Sequence, residues 1–113
     1  MTSSPSSQEN VVILHVTDDP DDVERSAKAG AALREWNQSL EVKIVVHGAA
    51  LTAVVDSDNP IDLAEGVAVQ ACEIGLQRRG LAEKQRLPGV ESIESAVVTI
   101  VEAQRGGASY IRL

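Results

Sequence analysis

Cys72 is the only cysteine of the chain, and its neighbours make it the first candidate for chemistry. It ends a short apolar run, Val67-Ala68-Val69-Gln70-Ala71-Cys72. A helix-compatible stretch, Glu73-Ile74-Gly75-Leu76-Gln77-Arg78-Arg79, follows and stops at Gly80. The run is too short for a helix, so the pattern reads as a buried strand, a turn holding the thiol, and a short helix. A sulfur at that turn meets the free backbone N–H groups of a helix start, which favour the thiolate, the nucleophilic form. The chemistry open to it is thiol exchange. The plainer reading is that a lone cysteine at a strand end is a small apolar side chain filling a core.

The other titratable groups suited to chemistry near neutral pH are His15 and His47, the two histidines. Each falls at the end of a β-branched run, Val11–Val16 and Val42–His47. They lie far apart in sequence and lack zinc-ligand spacing. His47 is the candidate for a base on the rim of a sheet; its plainer reading is a rim histidine satisfied by backbone. There is no Cys-x-x-Cys and no evident Ser-His-Asp pattern. The first strand is followed by Thr17-Asp18-Asp19-Pro20 instead of a glycine-rich phosphate loop, and two carboxylates there oppose a dinucleotide phosphate. No cofactor and no metal are expected. Arg78 and Arg79 read as a solvated helix face.

The elements that must position these groups alternate. Val11–Val16 is a strand buried on both faces. Val23, Ala27, Gly30, Leu33, Trp36 and Leu40 recur at three- and four-residue spacing, which predicts an amphipathic helix over 20–38 with Asp18 or Asp19 as its cap and Pro20 at its first position. Val42–His47 is the second strand, and residues 49–55 begin a second helix. Residues 56–60 form a loop and 61–65 a helical turn. Val67 opens the cysteine strand. Leu87-Pro88-Gly89 marks a turn before a short strand over 90–93. Residues 95–105 are ambiguous: the β-branched residues favour a strand, but Ser95 can cap a helix and Gly106-Gly107 can stop one, and the length exceeds a typical strand. The expectation is a helix. Residues 108–113 form the last strand. Five strands alternating with helices predict a parallel sheet covered on both faces, a three-layer α/β/α sandwich, with ligands at the carboxyl ends of the strands. If the strands ending at His47 and Cys72 are neighbours, both side chains share one rim.

Composition excludes several classes. The chain is one domain by length, over 11–113, after a polar tail over 1–10 that reads as disordered. With no Phe, one Trp and one Tyr, its core must be built from Val, Ile, Leu and Ala. The formal net charge of −7 is repelled by phosphate backbones and anionic lipid, so neither nucleic acid nor a membrane is an expected partner. No apolar run approaches a membrane span. A single cysteine and a start without signal-peptide character argue for a reducing, cytoplasmic setting.

Four places in the chain resemble the DsrE/DsrF-like family of small intracellular sulfur-oxidation and sulfur-relay proteins. They are Val12-Ile13-Leu14-His15-Val16 with Asp18-Asp19, Val45-Val46-His47-Gly48, Val67 with Gln70-Ala71-Cys72, and Gln104, Gly106 and Tyr110-Ile111-Arg112. The resemblance implies an α/β/α sandwich with a five-stranded, mostly parallel sheet. It implies homo-oligomers, often trimers or hexamers, and a sulfur donor or acceptor protein as partner. It also implies a cysteine that carries sulfur as a persulfide, and only Cys72 maps onto that position. The chain departs from the pattern just after it. Glu73-Ile74 stands where such relatives carry small or polar residues, which puts a negative charge beside the thiol and removes side-chain donors for a sulfur anion.

Two readings follow. In one, Cys72 accepts sulfane sulfur and passes it on. In the other, the chain is a non-catalytic oligomeric binding or assembly module of the same fold. Under both, the apolar segment 95–105 or the helix over 49–55 is expected to be buried between subunits of a homo-oligomer. Trp36 is a helix-face or subunit contact, and Tyr110 and Arg112 close the sheet edge or an oligomer contact.

Overall fold

The computed structural model describes residues 7–55 and 60–113. Five strands, β1 (Val11–Val16), β2 (Glu41–Val46), β3 (Val67–Cys72), β4 (Val90–Ile93) and β5 (Ser109–Arg112), form one sheet in the order β4-β3-β2-β1-β5. Every pairing is parallel. The helices are α1 (Asp21–Trp36), α2 (Glu73–Arg78) and α3 (Ala96–Arg105), and a 3₁₀ helix covers Gly48–Val54. Most of the tail expected over 1–10, and all but Pro60 of the loop over 56–60, lie outside the described residues. Gln8 is held: its N–H donates to the Gly106 carbonyl at 2.8 Å.

Strand order decides which face each connection covers. From β1 to β4 the chain steps outward in one direction, and right-handed crossovers put the intervening segments on one face. The step from β4 to β5 runs back past β1, so α3 alone lies on the opposite face. The packing agrees. Val12, Leu14, Val16, Val42, Ile44, Val46, Val69 and Ala71 cluster with Val23 and Ala27 of α1, with Ala50, Leu51 and Val54 of the 3₁₀ helix, and with Leu76 of α2. Val11, Ile13, Val45 and Cys72 cluster with Ala96, Ile100 and Ala103 of α3.

Segment 95–105 forms a helix, as its flanks predict. The Ser95 hydroxyl accepts from the Val98 N–H at 3.3 Å, and burial of Ala96, Ile100 and Ala103 on one face overrides the strand propensity of its valines. Two expectations are corrected. The helix expected to begin over 49–55 is a 3₁₀ helix over Gly48–Val54, with both ends tied to other elements: Ala50 N–H donates to Thr17 O and Leu87 N–H to Val54 O. Residues 61–65 form no helical turn; Ile61, Leu63 and Ala64 lie against the core as an irregular segment. Helix α1 starts at Asp21 with Pro20 at the cap position, and the Asp19 carboxylate accepts from the Asp21 N–H at 2.9 Å.

Candidate functional site

Cys72 is the last residue of β3 and the N-cap of α2. The residue before α2 must leave the strand while its side chain faces the first turn, and a cysteine there can accept as a Ser or Asp cap does. Its Sγ accepts from the Gly75 N–H at 3.4 Å. A second backbone donor arrives from elsewhere in the chain: the N–H of Ala96, first residue of α3, lies 3.4 Å from the same sulfur. The thiol proton faces the Glu94 carbonyl at a long 3.9 Å. The starts of two helices therefore converge on the sulfur of Cys72, a residue that is 5 % exposed. A Cβ at Gly75 would stand 2.8 Å from Leu51 Cδ1, so a larger residue there requires Leu51 to shift.

The carboxylate of Glu73 turns away from this arrangement. Arg86 donates to both of its oxygens, at 2.6 and 2.8 Å, and the Ser92 hydroxyl donates at 2.9 Å. These contacts, the Arg86 hydrogen bonds foremost, hold the Glu73 carboxyl below its ordinary value. Arg86 also donates to the Ala82 and Lys84 carbonyls, so the pair pins the long connection between α2 and β4. The charge that the sequence places beside the thiol is thus neutralised by a residue thirteen positions on, which spacing alone does not reveal.

The two histidines, remote in sequence, meet. β1 and β2 are neighbours in register His15↔Val45, and the ladder continues one step further as His47 N–H donates to Val16 O. Both side chains therefore project from the α3 face at the carboxyl end of the sheet. His15 Nε2 and His47 Nδ1 are 2.9 Å apart, with the rings stacked at 4.9 Å between centroids. Tyr110 on β5 completes the row, its hydroxyl 2.7 Å from His15 Nδ1. Burial lowers the His15 pKa to about 4, with His47 and Arg112 contributing. Burial, then Arg112 and Arg79, lower that of His47, while Asp18 opposes the shift at both. Gly48 follows at φ +68°, with its Cα so near the Thr17 carbonyl that a Cβ would lie 2.7 Å from that oxygen. That turn sends the chain away from the rim directly after His47.

β2 and β3 are also neighbours. The last pair in their register is Val46↔Ala71, so His47 and Cys72 occupy the next positions on adjacent strands of one rim. Arg112 donates to Thr17 Oγ1 and Asp18, each at 3.2 Å. Asp18 thus pairs with β5 instead of capping α1. Sequence reasoning placed Tyr110 and Arg112 at the sheet edge or an oligomer contact and missed the pairing of His15 with His47. The available signal was the position of both histidines at strand ends, which becomes informative only once the strand order is known. Trp36 is 78 % exposed at the end of α1. Among the described residues no group of three or more His, Cys, Asp or Glu could hold a metal ion, and no helix is long and apolar enough to cross a membrane. A groove between α1 and residues 60–64, lined by Val23, Ala27, Ala31, Ala53 and Ile61, lies on the opposite face from the thiol.

No family model and no curated protein matches the chain. Solved structures do. A protein of unknown function, MTH1491 from Methanobacterium thermoautotrophicum, is 28% identical with a TM-score of 0.79, over 91% of this chain and 98% of that one. The ychN protein of E. coli is 18% identical with a TM-score of 0.67, over 93% and 99%. The second likeness is one of fold alone.

Proposed function

We propose that this chain is a sulfur-relay protein of the DsrE/DsrF-like kind that carries sulfane sulfur as a persulfide on Cys72. The observation behind the reading is the pair of backbone donors, Gly75 N–H and Ala96 N–H, on one sulfur. Such donors stabilise a sulfur anion more than a neutral thiol. The step needs no oxidant. The Cys72 thiolate attacks the outer sulfur of a donor persulfide, a new S–S bond forms, and the donor leaves as its own thiolate with the electron pair of the broken S–S bond. An acceptor thiolate then takes the sulfur by the same exchange. The motif resemblance and the likeness in fold to the MTH1491 protein support the reading. The capture of Glu73 by Arg86 removes the strongest sequence objection to it. Treating the protein with polysulfide and measuring its intact mass should show sulfur added to the wild-type chain and none to Cys72→Ser. An unchanged wild-type mass would refute the carrier.

The second reading, a non-catalytic assembly module, draws on the burial of Cys72. Both readings include self-association. The 3₁₀ helix buries Ala50, Leu51 and Val54 within its own chain, whereas α3 presents Val97, Val98 and Val101 outward at 65, 55 and 49 % exposure. Isolated exposed valines are ordinary, but three on one helix face form a patch. A homo-oligomer closed over α3, a trimer or hexamer, is expected. Light scattering at micromolar protein should give a mass three or six times 12.0 kDa, and a monomer would remove this part of the account.

A further inference from the structure

The row Tyr110–His15–His47 has a property that packing alone does not require. Each nitrogen between its ends is paired: His15 Nδ1 with the Tyr110 hydroxyl at 2.7 Å and His15 Nε2 with His47 Nδ1 at 2.9 Å. His47 Nε2 is the one ring nitrogen of the row without a hydrogen-bond partner among the described residues. The row spans three neighbouring strands, β5, β1 and β2, and by strand register its last residue, His47, falls beside Cys72 of β3, with no direct hydrogen bond between the two side chains. Neighbouring strands are about 4.8 Å apart. At its other end Tyr110 is 38 % exposed and reaches solvent.

A chain of this kind has two polarities. In one, Tyr110 O–H donates to His15 Nδ1, His15 Nε2–H donates to His47 Nδ1, and His47 carries its proton on Nε2. In the other, His47 Nδ1–H donates to His15 Nε2, His15 Nδ1–H donates to the Tyr110 oxygen, Tyr110 O–H faces water, and His47 Nε2 is bare. We infer that Tyr110, His15 and His47 form a proton wire that carries the Cys72 thiol proton from the rim of β3 to solvent. The inference rests on the sulfur-carrier reading.

The transfer balances. Starting from the second polarity, a bridging water takes the thiol proton and hands one of its own to His47 Nε2, which leaves the thiolate. His47 Nδ1–H passes to His15 Nε2, His15 Nδ1–H passes to the Tyr110 oxygen, and the Tyr110 O–H proton passes to water. The row ends in the first polarity, with every nitrogen and oxygen holding the hydrogen its neutral form requires, and one proton has moved from sulfur to solvent. The wire suits the surroundings. Burial, with Arg112 at both rings and Arg79 at His47, opposes a lasting imidazolium, and Asp18 only partly offsets them. A proton accepted at His47 is therefore passed on instead of stored. The thiol's contact to Glu94 O is long, at 3.9 Å.

Tyr110→Phe tests the wire at its far end, two residues removed from the thiol. The substitution keeps the ring on a half-exposed edge strand and deletes only the hydroxyl. Two readouts apply to the full chain: the pH-dependent rate of persulfide loading from polysulfide, and the imidazole ¹⁵N shifts of His47. The wire predicts loading slowed about tenfold at pH 7, less than the roughly hundredfold or more of a direct acid–base group because Tyr110 acts at the far end of the row. It also predicts a changed Nδ1/Nε2 tautomer balance at His47, which Tyr110 does not touch. His47→Gln should slow loading at least as much. Normal loading in both variants, with His47 signals unchanged in Tyr110→Phe, overturns the wire and leaves the carrier standing. Failure of wild-type protein to load overturns both.

Discussion

The two faces of the sheet are built differently. One lies under α1, the 3₁₀ helix and Leu76 of α2, and the residues of the three central strands that point to it are all apolar, from Val12 and Leu14 through Ile44 and Val46 to Val69 and Ala71. The other has α3 as its single cover. Its strand residues include His15, Lys43, His47, Gln70, Tyr110 and Arg112 beside Val11, Ile13, Val45 and Cys72. Gln70 also lies on this face: its amide donates to Glu91 at 3.2 Å, and its buried Oε1 has no hydrogen-bond partner among the described residues. A fully covered face can only be packed; a partly covered one tolerates polar groups and keeps them within reach of solvent. In this chain the larger apolar core sits on one side of the sheet and the candidate site on the other.

The largest expected effect breaks the first half of that contrast. Leu14→Ala or Leu51→Ala, both fully buried on the α1 side, should cost about 3 kcal/mol or more in urea unfolding, as large-to-small core changes do. A loss under 1 kcal/mol would mean that this side is not the packed one.

The next effect sharpens the polar half. His15 falls from an ordinary 6.5 to about 4 in the folded chain, so between those values the unfolded chain binds a proton that the folded chain refuses. The His15 contribution is whole above pH 6.5, declines as pH falls through that window, and is gone below about 4. Its size is on the order of 2–3 kcal/mol. His47 adds in the same direction. Unfolding free energies measured from pH 7 to 4 should slope downward in the wild type and flatten in His15→Gln. An equal slope in the variant would show that the histidine row does not govern it.

Arg86→Ala should cost about 2 kcal/mol, the worth of a charge-assisted pair at a partly buried carboxylate. It should also slow persulfide loading, because Glu73 regains an uncompensated charge beside Cys72. The carboxyl of Glu73 is held low in the native chain, so this contribution is present above the ordinary carboxyl value of 4.5 and is lost as pH falls below it. Unchanged loading in Arg86→Ala would detach the ion pair from the thiol. The smallest effect on folding belongs to the outer face of α3. Val98→Asp should change protomer stability by no more than about 0.5 kcal/mol yet release protomers in light scattering.

The α1 side was largely legible in the sequence, because its signals are local. Val11–Val16 and Val67–Cys72 are continuous apolar runs bounded by turn residues, and α1 announces itself through Val23, Ala27 and Gly30 at helical spacing. The 3₁₀ helix was not legible, since its ends are set by Thr17 and Leu87, residues of other segments. Cys72 could be singled out from its strand-to-helix context, but its second donor, Ala96 N–H, comes from a helix twenty-four residues on. The meeting of His15, His47 and Tyr110 depends on strand order, with β5 placed beside β1 by a crossover that no local pattern encodes. The Glu73–Arg86 pair is hidden for the same reason: it closes a loop, and loop closure leaves no periodicity.

The central claim is that the fold, and not merely the presence of one cysteine, makes Cys72 a sulfur carrier. The rate of persulfide formation at pH 7 should therefore be measured on the folded chain and on the same chain unfolded in urea, with matched polysulfide. Two converging backbone donors predict faster loading in the folded chain despite the burial of the sulfur. Loading that is as fast or faster in the unfolded chain would contradict the account and return Cys72 to an inert place in the core.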